Sequence, residues 1–396
     1  MEYIYNNKEK LDNLNEYMQK LLNAQKGEKT KLYKEYEYYI NSIEPMDLFY
    51  LNMYKQDTKY DVDNIKESAD TFVNVFHNGL TKHEIIDYNH IFFESLYEEN
   101  LAIEEKLQEL KQYYIQSGIN EETKEVLYDK FSKLDEIEKK FIKYENILFP
   151  RIEAKVPSDM PIKVLWSLHD DARLKRKAIM KLLRTKDFDI ADFYINIGEY
   201  YFLIYGINKK NQLILHPVAV KLLTDTELDQ MYNESIEYGY SFLKDKKRID
   251  KKEKSIMSKL KDQIFDSATG ELKLDELELI LNILPIDMTF VDSENNVKYY
   301  NNTTKRAFPR NPSIIGRKVK NCHPPKSVAV VEKIIESFRN NEKDEAEFWL
   351  NFKNQMIYIT YLAIRDSQGK YLGVLEVSQD VTHIRDLKGE RRLLDW

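Results

Sequence analysis

The clearest pattern in the chain lies between Leu284 and Asp386. Met288, Phe290 and Asp292 fall on one side of an alternating run, and Thr289 and Val291 on the other. That period of two predicts a strand, and Asp292-Ser293-Glu294-Asn295-Asn296 predicts a hairpin turn into a second strand at Val297–Tyr300. Val328, Val331, Ile334, Ile335 and Phe338 then recur at helical spacing, behind Pro324-Pro325, which suits a helix start. Three longer alternating runs follow: Glu345–Phe352, Met356–Arg365 and Tyr371–Val381. Turn residues at Lys353-Asn354 and Asp366–Gly369 separate them. Two strands, helices and a three-strand meander make one five-stranded antiparallel sheet with helices on one face.

Upstream the period changes to that of helices. Leu11, Leu14, Met18, Leu21 and Leu22 form one stripe, broken at Pro45 and resumed from Val62. Residues 82–223 contain four long helical segments, roughly His83–Gln116, Glu121–Phe149, Pro161–Arg184 and Asp187–Lys209. Pro150, Pro157, Pro161 and Pro217 all fall near their expected ends. An up-down four-helix bundle is the economical way to bury four such stripes. Residues 224–276 read as a helical connector, starting at an N-cap on Thr224 or Asp225 and crossing a charged stretch at Lys244–Lys254. The expected class is therefore multidomain, α and α+β. It comprises a helical module over 1–80, a bundle over 82–223, the connector, and a sheet domain over 277–396.

The C-terminal third resembles a PAS sensor domain. The matching phrases are "LP.D.TFVD" at Leu284, "V.Y.N" at Val297, and the exit Asp380-Val381-Thr382 followed by a basic helix. The resemblance implies a small ligand held between sheet and helices, or a partner on the sheet, with the signal passed along flanking helices.

Two further phrases resemble hemerythrin-like bundles: "KKFIKYENILFPRIE" in the second segment and "VLWSLHDDARLKR" in the third. "KKNQLILHPVAVKLL" resembles the fourth-helix repeat of the same signature. In that family the helices supply histidines and bridging carboxylates to a di-iron centre. Carried over, Glu145 and His169 match. Lys140 stands where the second-helix histidine is expected, and Asn211 and Gln212 where the fourth-helix acidic pair is. His90 lies one place off the first-helix register. The whole order is similar to the domain of unknown function 438 family, which joins a helical module, a hemerythrin-like bundle and a PAS domain. That family's Cys-Asp-x-His falls here on Ala69-Asp70-Thr71-Phe72.

Charge and cysteine usage narrow the field. Lys and Arg number 60 and Asp and Glu 67, interleaved throughout, giving a formal charge of −7. No basic face for nucleic acid stands out. No apolar run reaches the roughly 18 residues that span a bilayer, and the N-terminus has no signal-peptide core. The single cysteine, Cys322, excludes an internal disulfide framework and suits a reducing cytoplasm.

Candidate chemistry concentrates at Asn321-Cys322-His323-Pro324-Pro325. His323 could ligate haem or a metal and Cys322 could sense redox state; equally, His323 could cap the helix or bond within the core. Phe290, Phe308, Phe348 and Tyr361 are the aromatics expected around such a pocket. A helix N-terminus there would favour an anionic or carbonyl-bearing ligand and keep His323 neutral. His83, Asp87, His90 and Glu94 share one face if the segment is helical, a set that could hold a transition metal. His216 suits a capping or core role. No catalytic motif emerges. The leading expectation is a cytoplasmic sensor or regulator acting through a protein partner or self-association, the latter aided by an amphipathic helix at His383–Leu394. The alternative is a non-haem iron protein handling oxygen, nitric oxide or iron.

Overall fold

The computed structural model describes residues 2–25, 27–51, 62–84, 90–185, 188–244, 264–303, 306–308, 310–323, 325–352 and 354–390. Most of the charged stretch Lys244–Lys254, together with Asp87, Pro324 and Leu393-Leu394, lies outside them. The chain divides into two compact units, Met1–Ile249 and Asp250–Trp396.

The first unit is helical. Its principal helices are α1 (Lys8–Asn23), α2 (Lys29–Asn41), α3 (Asp47–Leu51), α4 (Val62–Val75), α5 (Ile91–Ser117), α6 (Glu121–Lys133), α7 (Ile137–Lys143), α8 (Met160–Arg184), α9 (Ile190–Lys210) and α10 (Asp225–Ile236). The helical stripes meet in two cores. Ile103, Leu107 and Leu110 of α5 pack with Phe131 of α6, Phe141 of α7, Ile179 of α8 and Ile204 of α9. The four long segments thus share one interior. The second core joins Leu11, Leu14 and Leu21 of α1 to Phe72 and Phe76, to Leu165 of α8, and to Leu228, Met231 and Tyr232 of α10. Each fully buried large apolar side chain is worth about 1.5–3 kcal/mol. The start of the connector therefore belongs to the helical interior. Thr224 caps α10, its side chain accepting from Glu227 N while Glu227 closes the capping box.

Pro150 and Pro217 do not end their helices. Each follows a π turn, Tyr144–Leu148 and Asn211–Leu215, after which the helix continues. A proline has no N–H to give to the carbonyl four residues back. The helix widens just ahead of it, with Phe149 N bonding Tyr144 O and His216 N bonding Asn211 O.

The second unit opens with a short hairpin (Ile264–Ser267 with Gly270–Lys273) and α11 (Leu274–Ile283). It continues with β1 (Asp287–Asp292), β2 (Val297–Tyr300), α12 (Pro325–Arg339), β3 (Glu345–Phe352), β4 (Gln355–Arg365) and β5 (Tyr371–Asp380). The sheet is antiparallel in the order β2-β1-β5-β4-β3, so the last strand lies at the centre. Val291 and Val374 point to the same side and bury against Val331, Ile335 and Phe338 of α12. The asparagine of the "V.Y.N" phrase, Asn301, is a staple: its Oδ1 accepts from Met288 N at 2.7 Å, and its Nδ2 donates to Leu281 O and Ile286 O at 2.9 Å each. After β5 the described helix is short, Thr382–Asp386, where the pattern predicts His383–Leu394.

Candidate functional site

The register of the sheet fixes what faces α12. Glu376 of β5 is flanked by Thr289 of β1 and Tyr361 of β4, and Tyr361 in turn by Ala346 of β3. The next row is Asp287, Ser378, Ile359 and Phe348. Cross-strand partners share a face, so both rows line the concave side. Tyr361 meets Phe348 edge-on, ring centroids 5.9 Å apart, and Phe308 packs on Phe352 at 5.5 Å.

Over these rows lie two loops. One carries Arg306, Phe308 and Arg310, held by Asp287, whose Oδ2 accepts from Ala307 N at 2.7 Å and Phe308 N at 3.3 Å. Arg310 reaches Glu376 at 3.6 Å with both side chains mostly enclosed. The other loop carries Arg317, Cys322 and His323. Cys322 packs beside the core, its Sγ 3.7 Å from Lys318 O. Burial holds the His323 imidazole below its usual pKa. Glu376 opposes that shift, and Arg310 and Arg317 reinforce it. The chief cause is thus loss of water rather than the field of the helix. Burial likewise pushes the Tyr361 hydroxyl up. One carboxylate, two guanidinium groups, a neutral imidazole and a phenol come together here, cupped between the sheet and the two loops.

Phe290 is not part of it. It pairs with Leu375, one residue out of phase with Val291 and Val374, and so lies on the opposite face of the sheet. The alternation that places Val291 in the core necessarily sends Phe290 the other way.

The helical unit holds a second polar centre. Lys140 and Lys143 are almost wholly buried, as are Glu99, Asn100, Asn208 and Asn211. Lys143 Nζ meets Glu99 Oε2 at 2.5 Å and donates to Gly239 O at 2.9 Å, while Glu99 Oε1 accepts from Ser241 N at 2.7 Å. Lys140 Nζ donates to Asn100 Oδ1 and, at 2.6 Å, to Asn208 Oδ1. Burial lowers its pKa to about 7, Lys143 adding to the effect against the pull of Glu99 and Glu104. His216 is hydrogen-bonded to Tyr144 Oη at 2.8 Å, and burial, with Lys140 nearby, holds it near 3. That is a core role.

Glu145 and His169 are brought together. His169 Nδ1 donates to Glu145 Oε1 at 2.9 Å, and Arg173 Nη2 holds both Glu145 oxygens at 2.9 and 3.1 Å. Phe141 stacks on the imidazole at 4.1 Å. Burial, and after it the charge of Arg173, keeps His169 neutral. This donor set does not fit a di-iron centre. Glu145 is committed to an arginine and a histidine, and Lys140 brings an ammonium to the place of an expected ligand.

His83 and His90 lie elsewhere. His83 sits in a separate 3-10 turn, Thr81–His83, and is exposed. His90 is the N-cap of α5: its Nδ1 accepts from Phe92 N at 3.1 Å and its Nε2 contacts Asp229 Oδ1 at 3.1 Å. The helix starts at Ile91, so His83, His90 and Glu94 do not share a helical face, and the fourth member, Asp87, lies outside the described residues. Among the described residues no group of three or more His, Cys, Asp or Glu is arranged to hold a metal ion, and no helix is long and apolar enough to cross a membrane.

Residues 277–382 match the family model described as PAS domain. The chain therefore carries a C-terminal PAS domain. Three solved structures are similar to this region. A C-terminal domain from Streptococcus mutans is 35% identical, with a TM-score of 0.31, covering 32% of this chain and 99% of that one. The PAS domain of a protein from Colwellia psychrerythraea is 16% identical, with a TM-score of 0.22, covering 28% and 98%. A sensory box sensor histidine kinase from Vibrio cholerae is 15% identical, with a TM-score of 0.22, covering 28% and 91%. No curated protein matches the chain.

Proposed function

We propose that the chain is a cytoplasmic sensor or regulatory protein whose PAS domain takes a small polar ligand in the cup above β5. The observation that carries this reading is the Arg310–Glu376 pair, enclosed beside Tyr361 and near His323. Arg310 and Arg317 supply N–H donors that suit a carboxylate or carbonyl on the ligand, and Glu376 an acceptor that suits an N–H or hydroxyl. Cys322 lies beside this cup and Phe308 and Phe348 border it, so both anchor the apolar part of the ligand. In this reading the helical unit is a hemerythrin-like scaffold of the domain of unknown function 438 type, with a relic iron site at Glu145 and His169. The signal leaves by contact with a protein partner or a second copy of the chain.

The test is release and identification of small molecules from the purified full chain by denaturation and mass spectrometry, alongside an absorption spectrum. A defined compound at near-stoichiometric occupancy, lost in Arg310→Met and His323→Ala, is the expected result. A Soret band lost with His323 would make the ligand haem. Equal recovery from wild type and both variants, or none from any of them, counts against the cup as a ligand site.

A further inference from the structure

A cavity of about 90 Å³ lies inside the helical unit, where α1, α3, α4, α8 and α9 converge. Met18, Leu51, Phe72, Val164 and Ile214 are typical of its walls, and Lys210 is the one charged residue among its described lining residues. Lys210 is 5% exposed, and its ammonium is paired with Asp70, whose side chain is 38% exposed. Gly206 lies beside this pair: a Cβ there would stand in ordinary contact, 3.4 Å from Lys210 Nζ and 3.6 Å from Asp70 Oδ1.

The hole is held open by the way α4 is fastened. One turn before Asp70, Lys66 bonds Asp171 at 2.8 Å and Ser167 Oγ at 3.1 Å on α8. Asp70 fastens the same helix to α9. Ala69, Phe72 and Val73, on the apolar side of α4, look into the gap between these two polar pins. The pocket is about half open to solvent, and its mostly apolar walls offer water few hydrogen-bond partners. A water needs roughly 10–15 Å³ of such space, so the cavity suits a compound of about six to nine non-hydrogen atoms.

We propose that this cavity binds a small monocarboxylate with an aliphatic or aromatic body, its carboxylate paired with the Lys210 ammonium. The walls exclude strongly polar compounds, because nothing on them would replace lost water contacts. The single buried cation selects an acid over the corresponding alcohol or amine, through a charge-assisted hydrogen bond. Asp70 can yield its place, since its own carboxylate is partly in water already. The site is independent of the cup in the PAS domain and uses none of its residues.

The experiment is calorimetric titration of the full chain with hexanoate, hexanol and hexylammonium. Hexanoate is expected to bind, hexanol at least tenfold more weakly, and hexylammonium not at all. Lys210→Met keeps the length and removes the charge, and should weaken hexanoate at least tenfold. Ala69→Leu fills the cavity without touching the ion pair and should abolish binding while the protein stays folded. The proposal is overturned if hexanoate does not bind wild type, if hexanol binds as tightly as hexanoate, or if Ala69→Leu binds hexanoate as wild type does.

Discussion

Lys140 and Asn208 meet at 2.6 Å in the interior of the helical unit, and the other acceptor of the same ammonium, Asn100, is also uncharged. The hydrogen bonds of this ammonium thus go to amide carbonyls, with no carboxylate in direct contact, while Glu99 and Glu104 act on it from farther off. Three residues on, the arrangement reverses: Lys143 has a full carboxylate, Glu99, at 2.5 Å. Identical side chains in one interior thus face opposite electrostatic situations, and they should respond differently to pH and to mutation.

For Lys140 the sign follows from its depressed pKa of about 7. Between pH 7 and the ordinary lysine value the unfolded chain binds a proton that the folded one does not. Stability of the helical unit should rise with pH across that window, by up to about 1.4 kcal/mol per pH unit. The measurable range ends near pH 9.5, because buried tyrosines such as Tyr200, pushed up by burial, reverse the trend above about pH 10. Urea denaturation followed by helical circular dichroism at pH 7, 8 and 9 should show the rise in wild type and a flatter line in Lys140→Met. Parallel lines would refute it.

For Lys143 the partner matters more than the pH. Glu99→Ala removes its carboxylate and the acceptor of Ser241 N together. Breaking one side of a buried pair costs about 3–5 kcal/mol. Adding Lys143→Met to the Glu99→Ala background should recover much of that loss, because no lone charge then remains. A double variant as unstable as the single one would show that the carbonyl of Gly239 and the amide of Ser241, not the charges, dominate.

In the PAS domain the sharpest packing constraint is Gly373, with φ at +152°. A Cβ there would lie 2.1 Å from Val291 O on the neighbouring strand and 2.9 Å from the Phe290 ring. Gly373→Ala must push β1 and β5 apart or break their ladder. A loss of about 3 kcal/mol or more is expected in the C-terminal transition, with the helical transition unmoved. Differential scanning calorimetry of the full chain separates the two, and an unchanged C-terminal transition would contradict the clash.

The strands were legible almost to the residue, because alternation over six to eleven positions has no competing reading. The same alternation, followed strictly, also excludes Phe290 from the cup; aromatic character alone drew it in. The start of α5 was less legible, since His90 caps it, and histidine is not among the usual capping side chains. Reading Pro150 and Pro217 as helix ends missed the π turns, although both follow the same Leu-x-Pro phrase, Leu148-Phe149-Pro150 and Leu215-His216-Pro217. The interior of the helical unit was the hardest part. Glu99, Lys140 and Lys143 have the residue types of a solvated face, and only the partners that packing brings together make their burial tolerable.

One of those partners gives the interior an outlet. The carboxylate of Glu99 and the ammonium of Lys143 do not close on each other alone. They also clasp the backbone at Gly239 and Ser241, with Tyr240 buried between. The strand of chain that leads out of the first unit is therefore moored to the deepest charge pair in it. Any event that alters that pair's protonation or spacing acts directly on the backbone at Gly239 and Ser241, near the end of the helical unit.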